Sequence, residues 1–308
     1  MLSVAAQTAA PQPEAKTANG YQISPVRSEY TIEKGKSDQL TISIQNPSDV
    51  ATTAKAVMNN FVASEDESGT PRLILADDAQ PPKNDFKKLI SSIADVQIGP
   101  KERKEVPVTI TVPDDANSGG YYGAVRFVPA NATNDSTVGL TASVGTIVLV
   151  TVPGDLKIKL DMVQLSAAQN KKAKSFITSG DVDILTRLKN DGDIHVKPFG
   201  RVSVKSMFGK TVASYEFNNT EPRANILPGS IRRFDDKLGK HKLLGRYTIE
   251  ANLGSNAGSG DLLTGKTTFW YVPVWAIIVL GVLLAALVGG IYWLTRKFKR
   301  PNARRLKK

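Results

Sequence analysis

PKERKEVPVTITVPDDANSGGYYGAVRFVP, residues 100–129, decides the fold. Val106, Val108, Ile110 and Val112 alternate with Pro107, Thr109 and Thr111, so a strand here buries one face and shows the other to water. Pro113, Asp114 and Asp115 read as a turn, and Gly119 and Gly120 lead into an aromatic strand, YYGAVRFV at 121–128. Working outward, the same period of two recurs. LTISI at 40–44 sets Leu40, Ile42 and Ile44 on one face, and VGTIVLVTV follows at 144–152. Further on come LKIKL (156–160), VDILTRL (182–188), RVSVK (201–205), TVASYEF (211–217) and RYTIEA (246–251). No long segment between Tyr21 and Gly254 has helical period. Many short alternating strands divided by Gly, Pro, Asn and Asp turns predict an all-β chain of two tandem Ig-like β-sandwich domains.

The two halves share an order of features. LTISIQNPSD (40–49) and ILTRLKNDGD (184–193) are each a strand closing in an Asn-led turn. IGPKERKEVPVTI (98–110) and ILPGSIRRFD (226–235) each pair a Pro turn with a basic stretch. Gly120–Tyr122 and Gly245–Tyr247 each open a strand. The expected domains are therefore 21–155 and 156–254, with a linker at 255–268. Tyr122 and Tyr247 are expected to bond back to an upstream corner, as a tyrosine near a late strand of such sandwiches does. Residues 64–95 break the rhythm: they are polar, first acidic, and hold Pro71, Pro81 and Pro82. A short strand is expected at Leu73, Ile74 and Leu75, and a helical turn at 87–94 with Phe86, Leu89, Ile90 and Ile93 inward. A long irregular insertion on a rigid sandwich is a natural recognition element. The candidate ligand surface is Arg72 and Leu73 in this insertion together with Tyr121, Tyr122 and Arg126.

Residues 269–294, FWYVPVWAIIVLGVLLAALVGGIYWL, carry no charge over 26 positions. About 20 apolar residues span a bilayer, so a transmembrane helix is expected over 269–295. Trp270, Tyr271 and Trp275 at one end and Tyr292 and Trp293 at the other are its expected interface anchors. Residues 296–308 add Arg296, Lys297, Lys299, Arg300, Arg304, Arg305, Lys307 and Lys308 with no acid. The net charge of +11 is mostly this tail, and the rest of the chain is close to balanced. Basic flanks stay cytoplasmic, which places the C-terminus inside and the sandwiches outside the cell membrane, with anionic lipid as a partner of the tail. Residues 1–20 read as the end of a signal peptide, with Val4-Ala5-Ala6 as small-residue processing chemistry, followed by a spacer.

The chemistry of sites is sparse. The chain has no Cys and two His, His195 and His241, both expected to be exposed. No nucleophile elbow, phosphate loop or zinc-protease motif occurs, so the chain reads as no enzyme and as using no cofactor or metal. Asn190-Asp191-Gly192-Asp193 lacks the ligand count of a calcium loop and reads as a turn. The near-neutral body argues against nucleic acid.

The opening GYQISPVRSEYTIEKGKSDQLTISIQNPSD (20–49) and the stretch at 100–129 resemble the extracellular part of WxL-interacting proteins of Gram-positive bacteria. That resemblance implies an N-terminal peptidoglycan-binding sandwich, a second sandwich assigned to host binding, one membrane span and a basic tail. The expected function is a membrane-anchored cell-surface binding or adhesion protein whose partner is a cell-wall polymer or a surface protein. The alternative from the residues alone is an Ig-like assembly chaperone that lends an edge strand to a client.

Overall fold

The computed structural model describes residues 20–75, 82–130, 144–238, 243–256 and 262–298. The chain divides into two compact units, each a β-sandwich, and an apolar helix closes the second. The first unit comprises residues 1–161 together with 189–197 and 224–232. The second comprises 162–188, 198–223 and 233–308.

The first unit is built from β1 (Gln22–Ser24), β2 (Arg27–Thr31), β3 (Ser37–Gln45), β4 (Thr52–Ala63), β5 (Pro71–Leu73), β6 (Val96–Ile98), β7 (Arg103–Thr111), β8 (Gly119–Pro129) and β9 (Val144–Val152). One sheet runs β1-β3-β7; the other runs β2-β9-β8-β4-β5, with β6 also on β4. The alternation read from the sequence has its cause in the core. Leu40, Ile42 and Ile44 of β3 and Val106, Val108 and Ile110 of β7 point inward from one sheet. They meet Val125 and Phe127 of β8 and Val148, Val150 and Val152 of β9 from the other. Full burial of each such side chain contributes about 1.5–3 kcal/mol.

The insertion at 64–95 is tied to this sandwich at several points. Its short strand is β5 at 71–73, two residues earlier than expected, paired with Phe61–Ala63 of β4, and Ile74 N adds one more bond to Asn60 O at 2.8 Å. Residues 76–81 lie outside the described residues. A 3-10 turn, Phe86–Leu89, is capped by the Asp85 carboxylate, which accepts from Lys87 N. Phe86, Leu89 and Ile90 are buried as expected, and Ile93 is partly so.

The two Asn-led turns repeat in atomic detail. Asn46, at the end of β3, donates through Nδ2 to Val50 O (2.8 Å) and Gly99 O (3.0 Å), and its Oδ1 accepts from Ser48 N (3.0 Å). Asn190 donates to Ile194 O and Ile226 O, both at 2.8 Å, and accepts from Gly192 N at 2.9 Å. Each is almost wholly buried. A short amide that satisfies a turn carbonyl four residues on and a carbonyl from a distant loop locks the corner without leaving a buried polar group orphaned.

The second unit contains β10 (Leu160–Gln169), β11 (Lys172–Ala173), β12 (Phe176–Ile177), β13 (Asp183–Asn190), β14 (Pro198–Ser206), β15 (Thr211–Phe217), β16 (Ile231–Lys237), β17 (Gly245–Ser255) and β18 (Leu263–Tyr271). Its sheets are β11-β10-β13-β16 and β12-β18-β17-β14-β15. Their inner faces bury Ile184, Val202, Val204, Phe217, Ile249 and Phe269. The stretch expected as linker supplies β18, which pairs with β17 from Gly245↔Tyr271 to Leu253↔Leu263. The helix, α1 (Val274–Phe298), accordingly begins five residues later than the expected 269. Pro273 sets that boundary: it biases Val272 to extended backbone, and its carbonyl accepts from Ala276 N at 2.9 Å. Trp270 and Tyr271 thus belong to a strand, and Trp275, Tyr292 and Trp293 to α1. Arg296 and Lys297 lie in the last turn of α1, over the rings of Tyr292 and Trp293. The rest of the basic tail lies outside the described residues.

Candidate functional site

Of two glycines in β8, Gly123 seats a core ring and Gly120 borders a hollow on the other face of the strand. At Gly123 a Cβ would fall 1.8 Å from the Phe86 ring, so the bare backbone is what seats Phe86. At Gly120 a Cβ would fall 1.9 Å from the Tyr122 hydroxyl, because that ring folds back across the strand. Tyr122 then meets Phe61 of β4 with ring centroids 6.0 Å apart, and the edge of His195 at 5.7 Å. Phe61, Leu149 and Leu227 form a small apolar cluster against which Tyr122, Ala63, Leu73 and Ile147 pack. Above it opens a hollow of about 290 Å³, walled by Phe61, Ala63, Tyr122, Leu227 and Pro228 and rimmed by Lys83, Asn84, Ser118 and Asp193. Asn84 donates to Gly120 O at 3.1 Å, and its buried Oδ1 has no hydrogen-bond partner among the described residues. Two wider hollows, of about 410 and 450 Å³, are lined around Pro47 and Ser48 and along 91–97 with 104–109, and neither sets two aromatic rings together.

A charged cluster stiffens the floor. The Tyr122 hydroxyl accepts from His195 N at 2.7 Å and stands 3.4 Å from His195 Nδ1. His195 Nε2 faces Glu29 Oε2 at 3.5 Å, and Lys197 Nζ donates to the same oxygen at 2.5 Å. Arg27 completes the pairing of Glu29. Burial pushes the Glu29 carboxyl upward. The hydrogen bonds from His195 and Lys197 and the charges of Arg27 and Lys197 outweigh it and hold the group down at about 2. Burial raises the Tyr122 hydroxyl well above the usual phenol range, so it stays neutral and serves as a hydrogen-bonding group.

The five residues expected as a ligand surface do not lie together. Tyr122 alone lines the hollow, half-buried. Leu73 packs beneath it against the Phe61 cluster. Arg72 reaches out to Glu65 at 3.9 Å. Arg126 forks onto Asn59 Oδ1 through Nε (2.9 Å) and Nη2 (2.8 Å), on the face of β8 opposite Val125 and Phe127 and away from the hollow. Tyr121 is a core residue: its ring is buried, and its hydroxyl donates to Asn117 O, four residues upstream, at 3.0 Å. The corner bond expected of Tyr122 is therefore made by its neighbour, while Tyr247 bonds Leu244 N (2.9 Å) and O (3.2 Å) as expected. His195, expected to be exposed, is 8% exposed, because Tyr122 covers its edge and Glu29 its far nitrogen. His241 lies outside the described residues. Phe61, Asn84, Asp193 and Leu227 went unread as site residues. The signal for two of them was present, since Asp193 and Leu227 sit in the Asn-led and Pro turns of the repeated order.

The site is an aromatic-walled hollow on an Ig-like sandwich. Residues 28–128, from within β2 to within β8, match the family model described as WxL Interacting Protein, peptidoglycan binding domain. That match likens the first sandwich to the peptidoglycan-binding domain of the WxL-interacting protein family. No curated protein matches the chain. Among solved structures, a chaperone–tip adhesin complex of CFA/I fimbriae is 12% identical, covering 83% of this chain and 100% of that one at a TM-score of 0.39. The class 5 fimbrial chaperone CfaA is 13% identical over 83% and 100% at a TM-score of 0.38. The Pseudomonas aeruginosa chaperone CupB2 is 10% identical over 80% and 97% at 0.34. The fold rests on the strand pairing given above rather than on these likenesses.

Proposed function

We propose that this chain is a membrane-anchored bacterial cell-surface binding protein whose first sandwich holds peptidoglycan. The family match over 28–128 carries the reading, since it spans β4 and β8, the strands that present Phe61 and Tyr122. The chemistry of the hollow agrees. Aromatic faces stack on the C–H faces of sugar rings, an amide such as Asn84 pairs with N-acetyl groups, and Lys83 faces the carboxylates of stem peptides. The helix α1 supports the anchor: it has 25 residues and a hydropathy of 2.7, and none of its residues is buried. In this reading α1 crosses the cell membrane with residues 1–268 outside, and the tail, including Lys299, Arg300, Arg304, Arg305, Lys307 and Lys308, lies against anionic lipid in the cytoplasm. We keep the two modules, near 21–155 and 156–254, as the working division of the ectodomain, with β18 completing the second. The chaperone alternative is not favoured: β7, the last strand of its sheet, opens with Arg103, Lys104 and Glu105 and carries Pro107, a composition that blocks strand addition.

The test is co-sedimentation of the full chain, in mild detergent, with purified insoluble peptidoglycan. Wild type should pellet with the polymer. Ala63→Phe, which fills the hollow, should pellet much less at an unchanged melting temperature. A wild-type chain left in the supernatant removes the function, whereas an A63F chain that pellets fully removes the hollow as the site.

A further inference from the structure

One end of the second unit gathers apolar side chains that no described part of the sandwich covers. The turn between β14 and β15 has Met207 and Phe208 at its apex, 60% and 88% exposed, and among the described residues outside α1 no large apolar residue is more exposed than Phe208. Turn apices favour Gly, Asn, Asp and Ser, so this pair departs from turn chemistry. The turn is also well fixed: Ser206 N donates to Lys210 O at 2.8 Å, Gly209 N donates to Ser206 O at 2.9 Å, and Gly209 sits at φ +79°. Strand register brings further apolar residues to the same end. Ser206 pairs with Tyr247, Gly245 with Tyr271, and Phe176 with Trp270. A Cβ on Gly245 would lie 3.5 Å from Met207 Sδ. Leu244, Trp270 and Phe176, at 54%, 46% and 55% exposure, therefore share this end with Met207 and Phe208. Lys210 and Arg246 stand exposed among them, and Asp181 is the exposed acid at this end.

The same end carries the helix. Val272 N still donates to Ile177 O at 2.9 Å, and α1 begins at Val274, so only Pro273 separates the sheet from the helix. The headgroup layer on each side of a bilayer is about 5–8 Å deep, the difference between a ~30 Å core and a ~40–45 Å total. Strands about 4.8 Å apart place β14, two strands from β18, roughly 10 Å to the side of the helix entry. A span that begins one residue after the sheet holds this end at the lipid surface.

We propose that this end of the second sandwich docks on the membrane. Met207, Phe208, Leu244, Phe176 and Trp270 enter the headgroup layer, and Lys210 and Arg246 face lipid phosphates. The proposal rests on the reading of α1 as a membrane span, and the test separates the two. The chain has no cysteine, so one introduced thiol takes one label. A fluorescent label goes on T211C beside the turn, on L262C at the opposite end of β18, or on L284C within α1. The full chain sits in phosphatidylcholine–phosphatidylglycerol vesicles, with iodide as aqueous quencher or doxyl-labelled lipid as membrane quencher. The label at 211 is expected to be several-fold less open to iodide than that at 262 and to be quenched by the doxyl lipid. Adding M207S and F208S is expected to abolish both effects. If 284 is buried but 211 is as open as 262, docking is overturned and the anchor stands. If 211 is shielded from iodide but untouched by doxyl lipid, protein covers the turn and docking is overturned. Shielding that survives M207S/F208S overturns it as well. An open label at 284 removes the anchor and the docking with it.

Discussion

Phe86 and Gly123 act as one packing unit, and a double-mutant cycle measures it. Phe86 is fully buried, and Gly123 lies under its ring, with Cδ1, Cγ and Cε1 all within 2.5 Å of where a Cβ would stand. The backbone at Gly123 cannot retreat, because it is paired on one side with Asn60 of β4 and on the other with Val148 of β9. Phe86 is held from its own side too, since its N–H donates to Asn60 Oδ1 at 2.9 Å. Phe86→Ala should cost about 3–5 kcal/mol, the range for emptying a buried aromatic site. Gly123→Ala should cost about 1–3 kcal/mol through overpacking. In the double variant the new methyl enters space the ring has left, so the total should stay near that of Phe86→Ala alone, a coupling of about 1–3 kcal/mol. All three tryptophans, Trp270, Trp275 and Trp293, lie in the second unit, so tryptophan fluorescence is blind to this change. Native-state hydrogen exchange read on peptides from β4 and β8 reports it instead, at about tenfold in exchange rate per 1.4 kcal/mol. Additive single-variant effects would show that ring and glycine do not share one space, and the packing argument would fail.

Three other outcomes are expected. Glu29, with a carboxyl at about 2 in the folded chain against 4.5 ordinarily, stabilises the first unit fully above pH 4.5, and the contribution falls away as pH drops from there towards 2. It amounts to at most about 3 kcal/mol, less what solvent screening removes, so Glu29→Gln should flatten the acid limb of a melting-temperature profile, and an unchanged limb would count against the ion cluster. Asn46→Ala and Asn190→Ala should each lower stability by roughly 2–4 kcal/mol, because each strands buried carbonyls, whereas Asp49→Ala, an exposed acid beside the first corner, should stay within about 0.5 kcal/mol in the same denaturation series. Protease added to intact cells should remove residues 21–254 and spare a tag placed after the basic tail; a protected ectodomain would reverse the proposed orientation.

The strands were legible because burial in a sandwich writes a period of two, and Val106, Val108, Ile110 and Val112 show it without interference. The repeated Asn corners were legible because a single residue type does the same hydrogen bonding at Asn46 and Asn190. What stayed hidden was non-local. Nothing along the chain announces that Glu29 meets His195 and Lys197, or that Leu227 closes a hollow opened by Phe61 and Tyr122. The choice between Tyr121 and Tyr122 depended on which side of β8 faces the core, and two adjacent tyrosines leave that parity open. The misplaced helix start has a plain cause as well. Phe269, Trp270 and Tyr271 are uncharged and adjoin the apolar run, so hydropathy merges them with α1, although TGKTT before them alternates like a strand and Pro273 separates the two.

The single residue between the last sheet hydrogen bond and α1 has a mechanical meaning. If the chain bridges wall and membrane as proposed, a tension between them finds no slack linker to straighten at this point, and the load passes from α1 straight into the Tyr271 end of β18. That strand lies between β12 and β17, and its bonds to β17 extend over nine antiparallel residue pairs. Antiparallel ladder bonds run perpendicular to the strands, so a pull along β18 shears the whole row at once instead of peeling it bond by bond. In the proposed anchored reading the last strand of the sandwich is a force-bearing clamp, and the sheet yields only when all of its bonds to β17 give way together.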